Sequence, residues 1–421
     1  MSPFRSLVVL FLACTPVLQA ADPVLHTGDR LAIVGDSITE QKLYSKFIET
    51  YLQACHPDLQ IQCFQFGWGG ERAPGFAGRM ENDLLPWKPS VVTTCYGMND
   101  GSYRAYDENI GKAYEQGMRA IIDRLKQDKV TVVVGGPGVV DSITWNRGNP
   151  DFDQVYNANL KQLGSIAQGL AEENSFPHAD VFAAMMSSMT AAKKDLGDEY
   201  HVAGGDGVHP SANGQLVMAY AFLKALGVDG QIGTIQLNAA TGKATASAGH
   251  KVISASDSLI RLESSRYPFC FEGNDSDPNG TLSILPYVPF NQDLNRFTLQ
   301  VTDLTAASAE VRFGEQSRTF TRDELQAGIN LAAEFPQNPF SQPFQKVLNE
   351  VGRKQGFETM IIKSIITNFR NLGGEFAEDQ ELQQAVSTIR SRLLARNAAD
   401  HQQIRAAVQP VTYEIRVSPK N

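Results

Sequence analysis

Cysteine is the first scarcity. The 421-residue chain holds five; Cys14 falls in the N-terminal stretch, and Cys55, Cys63, Cys95 and Cys270 are too few for a disulfide framework in so long a chain. Cys95 sits in an apolar run and reads as a buried thiol. Cys55 and Cys63 could pair across a short helix-to-strand link, which the sequence leaves open. Neither C-x-x-C nor H-E-x-x-H occurs, so nothing points to a dedicated metal site. Positive charge is also in deficit, with 37 Lys and Arg against 46 Asp and Glu for a net −9. A phosphate backbone calls for a basic face, so nucleic acid is not an expected partner. Beyond the N-terminal stretch no apolar run approaches the roughly 20 residues of a membrane-spanning helix. Finally, no G-x-S-x-G occurs, which speaks against the nucleophile elbow of the α/β-hydrolases.

What is present is globular. Hydrophobic residues make up 42% and charged residues 20%, and the length fits two or three domains. Residues 1–20 read as an export signal: Arg5 supplies the positive region, Leu7–Ala13 the apolar one, and Leu18-Gln19-Ala20 precedes a cleavage ahead of Ala21. The expected protein is therefore exported, periplasmic or secreted. A minor alternative is a lipid anchor at Cys14 after Leu12-Ala13, although Phe11 fits that pattern poorly.

From Leu31 to about Gly230 short apolar runs alternate with helical stretches. Leu31–Val34, Ile61–Phe66, Val91–Tyr96 and Val130–Gly135 read as buried strands. Gln41–Cys55, Asn109–Gln127, Gln154–Asn174 and Ala212–Leu226 carry helical spacing, the last stopping at Gly227. Such alternation predicts an α/β domain over 21–230 with a mainly parallel sheet covered on both faces. From 231 to 322 the strand-like runs Thr234–Leu237, Lys251–Ile253, Leu259–Glu263, Arg296–Val301 and Ala309–Arg312, divided by turn clusters, predict a small antiparallel β module. Residues 323–421 read as helical, interrupted by the Pro- and Phe-rich link Phe335–Phe344. They end in a strand, 411–417, whose apolar face is Val411, Tyr413, Ile415 and Val417; this strand is expected to return to the β module.

Chemistry concentrates in four blocks. Val34-Gly35-Asp36-Ser37-Ile38-Thr39 follows the first strand, where ligands of an open α/β sheet bind. There Gly35 would let the chain bend tightly, and a helix N-terminus behind Ser37 would favour negative charge. The same residues are also ordinary helix-cap chemistry. A serine needs a base, and Asp206-Gly207-Val208-His209 supplies one, with the carboxylate three residues before the imidazole it could orient. By chance alone D-x-x-H is common. His178 and His201 are rival bases; His178 has no acid at that spacing, and His201 has Asp198 there but without the glycine that follows Asp206. Two further turns, Gly67-Trp68-Gly69-Gly70-Glu71-Arg72 and Gly97-Met98-Asn99-Asp100, offer the Gly70 N–H and the Asn99 amide to an oxyanion, and each is equally good loop chemistry.

Ser37, Gly70, Asn99 and the Asp206–His209 pair stand in an order that resembles the SGNH (GDSL-type) hydrolases, over roughly Leu31–Gly227. The resemblance implies a flavodoxin-like three-layer sandwich and a serine esterase. It casts Ser37 as nucleophile, His209 as base, Asp206 as its orienting acid, and Ser37, Gly70 and Asn99 as oxyanion donors, with no metal and no cofactor. Gln65 departs from the family's pattern, where many members carry Asn, and is expected to change a supporting hydrogen bond rather than the chemistry. The likeness to exported bacterial members implies acetyl groups on carbohydrate as substrate. Trp68, Tyr103, Trp145 and Arg147 are candidates for the rim. The alternatives are a lipid acyl-ester hydrolase and a non-catalytic glycan-binding scaffold. The expected partner is an acylated carbohydrate or small ester, and a homo-oligomer stays open.

Overall fold

The computed structural model describes residues 23–142, 148–256, 258–274 and 276–420. The expected export segment with Cys14, and the rim candidates Trp145 and Arg147, lie outside them. Strands β1 (Arg30–Gly35), β2 (Gln62–Gly67), β3 (Val91–Cys95), β4 (Thr131–Gly135) and β5 (His178–Ala179) form a wholly parallel sheet in the order β2-β1-β3-β4-β5. That is the flavodoxin-like order of an SGNH-type domain. Among the described residues, seven α-helices connect and cover it: α1 (Ser37–Glu40), α2 (Tyr44–Thr50), α3 (Ala73–Asp83), α4 (Glu108–Gln127), α5 (Phe152–Asn174), α6 (Val181–Leu196) and α7 (Ala212–Ala225). Alternation along β1 builds both cores at once. Leu31 and Ile33 join Phe47 of α2, Met185 of α6 and Phe222 of α7, while Ala32 and Val34 join Phe76 of α3, Met118 of α4 and Leu163 of α5.

The segment expected as one helix over Gln41–Cys55 begins only at Tyr44, because Lys42 takes a left-handed φ of 61°, and its last turn, Tyr51–Cys55, is π-helical. Cys55 and Cys63 are free thiols, both buried.

After α7 the chain makes two further sheets. Strands β6 (Gln231–Asn238), β7 (Lys243–Ala246), β8 (His250–Ser256), β9 (Leu259–Ser264), β10 (Arg296–Thr302), β11 (Ser308–Phe313), β12 (Gln316–Thr321), β13 (Ile329–Asn330) and β14 (Val411–Lys420) are ordered β13-β10-β6-β7 and β12-β11-β14-β9-β8. The second sheet is antiparallel throughout, but β6 and β10 pair in parallel, which corrects the expectation of a purely antiparallel module. A parallel pair needs a long crossover, and here β7 to β9 supply it with two short helices, α8 (Thr281–Ile284) and α9 (Phe290–Leu294). β14 enters between β9 and β11, burying Tyr413, Ile415 and Val417 and exposing Thr412, Glu414 and Arg416. Phe297, Phe313, Phe340 and Tyr413 pack edge to face between the two sheets.

Between β12 and β14 lie α10 (Arg322–Ala327), α11 (Leu331–Glu334), α12 (Ser341–Ser364), α13 (Phe369–Glu375) and α14 (Gln380–Ala407). None of the described helices is long and apolar enough to cross a membrane. α12 lies along β2, the edge strand of the parallel sheet. An edge strand leaves backbone groups unpaired, and α12 answers them with side chains: Lys354 Nζ donates to the Cys63 carbonyl at 2.6 Å, and the Gln65 N–H donates to Glu358 at 3.1 Å.

Candidate active site

Three adjacent strands, β2, β1 and β3, end at the same edge of the sheet, with Gly35 opposite both Gly67 and Cys95. Gly35 acts by close approach rather than by a special backbone angle. A Cβ there would meet Thr39 Oγ1 at 2.1 Å and the Cys95 carbonyl at 2.8 Å. A Cβ on Gly67 would meet the Glu40 nitrogen at 2.3 Å. The two glycines thus let α1 settle onto the strand ends. That helix is a single turn, capped by Asp36 accepting from the Ile38 N–H at 2.9 Å. Any field at Ser37 therefore comes from individual N–H groups rather than from an extended helix dipole.

Ser37 Oγ lies 2.9 Å from His209 Nε2. The other ring nitrogen, Nδ1, lies 2.7 Å from Asp206 Oδ2, and Asp206 Oδ1 accepts from the N–H groups of Val208 and His209 at 2.9 and 2.8 Å. Gly207, at a φ of 80°, makes this turn: the left-handed residue folds the carboxylate back beneath the ring. Burial pushes the Asp206 carboxyl up, but the hydrogen bonds from the His209 N–H, its imidazole and the Val208 N–H outweigh it and hold the carboxyl below its ordinary value.

The second strand end forms a tight turn in which the Glu71 N–H donates to the Trp68 carbonyl at 3.1 Å, with Gly70 exposed at a φ of 71°. At the third, Asn99 Nδ2 donates to the Glu71 carbonyl at 3.1 Å and to Asp36 at 3.3 Å. Asn99 therefore bridges the residue before Ser37 and the residue after Gly70. Among the described residues, neither the Ser37 N–H nor the Gly70 N–H donates to another group. A hydroxyl on a base, beside open N–H donors and an amide, is an arrangement suited to acyl transfer.

Residues 33–217 match the model of the GDSL-like lipase/acylhydrolase family. This segment is a domain of that family. An acetylxylan esterase from Geobacillus stearothermophilus is 26% identical over 228 residues, which are 49% of this chain and 97% of that protein. A crystal structure of an acetylxylan esterase from the same organism covers 49% of this chain and 97% of its own at 25% identity, with a TM-score of 0.41. A gut microbial diltiazem-metabolizing enzyme superposes on 96% of this chain and 100% of its own, with a TM-score of 0.73 at 22% identity. That likeness is one of fold, and it takes in the C-terminal sheets and helices. Family and relative agree on ester hydrolysis, so the GDSL-like domain is an esterase.

Around the GDSL-like domain's site stand residues that the sequence reading passed over. Glu71 is held by both arms of Arg79, at 2.6 and 2.7 Å, and by the Tyr96 hydroxyl at 2.8 Å. Asp100 accepts from the Ala73 and Gly97 N–H groups, each at 3.0 Å, tying the Asn99 turn to the start of α3. Asp36 is fully buried. Desolvation chiefly, helped by Asp100 and Glu71 and opposed by the Ile38 N–H, pushes its carboxyl up to about 7. Their signal was faint: Glu71 and Asp100 each follow a donor residue by one position, and only the fold reveals what they hold.

Of the rim candidates, Tyr103 is half-buried, stacked on Tyr156 at 4.9 Å and with its hydroxyl 3.5 Å from Asn99 Oδ1. Both Ser102 and Tyr103 adopt left-handed φ values, 58° and 51°, a strained pair of the kind found at working sites. Trp68 is also half-buried, with the Arg79 guanidinium 5.0 Å and the Lys363 ammonium 4.9 Å from its ring centre. The rival His201 does own a carboxylate, Asp141 at 3.0 Å, which Lys193 also grips at 2.6 Å. Spacing along the chain conceals it, since the partner lies sixty residues upstream.

Proposed function

We propose that the GDSL-like domain hydrolyses short acyl esters, acetyl groups on carbohydrate in particular, through a Ser37–His209–Asp206 relay. The observation that carries this reading is the continuous contact from Ser37 Oγ to His209 at 2.9 Å and on to Asp206 at 2.7 Å. Ser37 Oγ attacks the ester carbonyl carbon as its proton passes to His209 Nε2, and the carbonyl π pair moves onto oxygen. That oxyanion is received by the N–H groups of Ser37 and Gly70 and by the Asn99 amide, which gives up its longer bond, the one to Asp36 at 3.3 Å. Its collapse breaks the bond to the alcohol oxygen, which takes the proton from His209. Water then repeats the sequence on the acyl-enzyme. Asp206 stays ionised and steadies the imidazolium.

The acetyl-sugar substrate is supported by the acetylxylan esterase, which aligns over 97% of its own length. Acetate release from acetylated xylan and from a simple acetate ester is the expected activity, and Ser37→Ala is expected to abolish it; turnover retained by that variant would overturn the relay. An acyl series separates the lipid reading, because octanoyl esters hydrolysed as fast as acetyl esters would refute an acetyl-sized pocket. Labelling of Ser37 by a fluorophosphonate tests the scaffold reading, since a dead site stays unlabelled.

A further inference from the structure

The C-terminal helix α12 reaches the strand-end turns from outside the GDSL-like domain. Its last turn carries Lys363, whose ammonium is 2.6 Å from Glu40 Oε1. The other oxygen of that carboxylate accepts from the Gly69 N–H at 2.5 Å, immediately before the donor assigned to Gly70. One helical turn earlier, on the same face, the Thr359 hydroxyl donates to Gln65 Oε1 at 3.1 Å, and Gln65 Nε2 donates to the Thr39 carbonyl at 2.7 Å. Both chains of contact converge on the place where Gly67 lets β2 press against α1.

Magnitudes argue that this pairing serves geometry rather than stability. Lys363 and Glu40 have side chains 31% and 25% exposed, and a screened, part-exposed ion pair contributes at most about 1 kcal/mol. The bond it organises is of another kind. A carboxylate accepting from a backbone N–H is short and directional, and it acts on a turn whose next residue is a left-handed glycine with nothing within 4 Å of a Cβ position. Gly69 and Gly70, at the tip of that turn, have no side chains of their own to lock them. The Lys42 ammonium also takes the Glu40 carbonyl, at 2.6 Å, so Glu40 is fixed at backbone and carboxylate alike. Gln65, the departure from the family pattern, is long enough to span from Thr39 to Thr359.

We propose that α12 is a brace for the oxyanion turn: Lys363, through Glu40, holds Gly69 and so aims the Gly70 N–H, while Thr359, through Gln65, holds the backbone of the nucleophile's helix. Lys363 is thus a positioning residue supplied from outside the GDSL-like domain. The proposal rests on the reading of Gly70 as an oxyanion donor, and its test separates the two.

In the full-length chain, Lys363→Met removes the charge and keeps a stem over Trp68, and Lys363→Arg restores the charge. Hydrogen exchange over residues 67–72 is expected to quicken several-fold in the Met variant and return in the Arg variant, with β3 and β4 unchanged. For a simple acetate ester, kcat is expected to fall about 10-fold, a fraction of the 10²–10³ lost with a whole donor, with KM unmoved and Arg restoring most of the loss. Unchanged exchange over 67–72 overturns the brace; so does quickened exchange with kcat unchanged, or a loss shared equally by the Arg variant. If the Met variant fails to fold, Glu40→Gln carries the same test, since it breaks the ion pair but keeps an oxygen for Gly69, and an unaltered kcat there overturns the proposal. If the wild type neither turns over esters nor takes a fluorophosphonate, the esterase reading fails, and exchange alone decides the brace.

Discussion

At the scale of single residues, the division of labour around His209 makes a sharp expectation. Asp206 gives one oxygen to the imidazole and the other to two backbone N–H groups, so it fixes its own loop and the ring together. Asp206→Asn keeps the shape and an acceptor but removes the charge that supports the imidazolium. It is expected to lower kcat on the order of 10⁴-fold with KM little changed, read by steady-state kinetics on an acetate ester; a loss under tenfold would mean that Asp206 is not the partner in proton transfer. Because the Asp206 carboxyl is held below its ordinary value, the stability it contributes is present above the unfolded value of about 3.9. It is lost as the pH falls through the lower folded value. Asp36 is the opposite case, a carboxyl raised by burial, so the two acids of one site are shifted in opposite directions.

Elements set how closely those residues meet, and two glycines separate close approach from backbone conformation. A Cβ on Gly67 would overlap the Glu40 nitrogen and the Thr39 carbonyl carbon at 2.3 and 2.6 Å, both main-chain atoms that cannot swing aside. Gly67→Ala is expected to force α1 off the strand ends, costing about 3 kcal/mol and nearly all activity. Gly70→Ala meets no atom and carries only the left-handed penalty of about 1–2 kcal/mol. Thermal unfolding of the pair checks the order, and an equal or larger drop for Gly70→Ala would contradict it. Much of this level could be read from the chain. β1, β3 and β4 announce themselves as short runs rich in Val and Ile and β2 as one built on Phe, closed by Gly in three of the four, and the Ser37, Asp206 and His209 blocks sit where strands or helices begin and end. Helix α3 escaped because it opens Ala73-Pro74-Gly75, which reads as a turn, and its first N–H is secured by Asp100 from another loop. The parallel pairing of β6 with β10 depends on a crossover rather than on either strand's pattern. The role of α12 was out of reach for a similar reason: Glu358 meets Gln65, and Lys363 meets Glu40, from some three hundred residues away.

For the molecule as a whole, the question is what seats the C-terminal helices on the parallel sheet. At the centre of that contact Lys354 of α12 is fully buried between Glu49 of α2, at 2.9 Å, and Glu358, at 2.8 Å. Gln355 donates to Glu49 and accepts from Ser45, and Asn397 of α14 donates to Glu358. Buried ions of this kind are costly to desolvate and add little net stability, but only one docking of α12 satisfies all of them, and that same docking places Lys363 and Thr359 over the strand ends. Two carboxylates share one ammonium, so burial and the Glu358 charge raise the Glu49 carboxyl, against the pull of Lys354, to about 7. A folded value above the unfolded one, about 4.3, means that the native protein holds the extra proton between those limits. Stability from this group is complete below the lower limit, declines as the pH rises, by at most about 1.4 kcal/mol per unit, and is level above the upper one. His401 of α14 also faces Glu49, at 3.9 Å; its own pKa is depressed by burial and by Lys354, so it titrates with the opposite sign over an overlapping range. Only a difference between variants isolates Glu49. Glu49→Gln, which keeps an acceptor for Gln355, is expected to gain stability relative to the wild type steadily from pH 5 to 7 and then no further. Urea unfolding of both proteins at unit intervals from pH 5 to 8 measures this, and a difference that does not vary with pH would mean that the proton does not reside on this cluster.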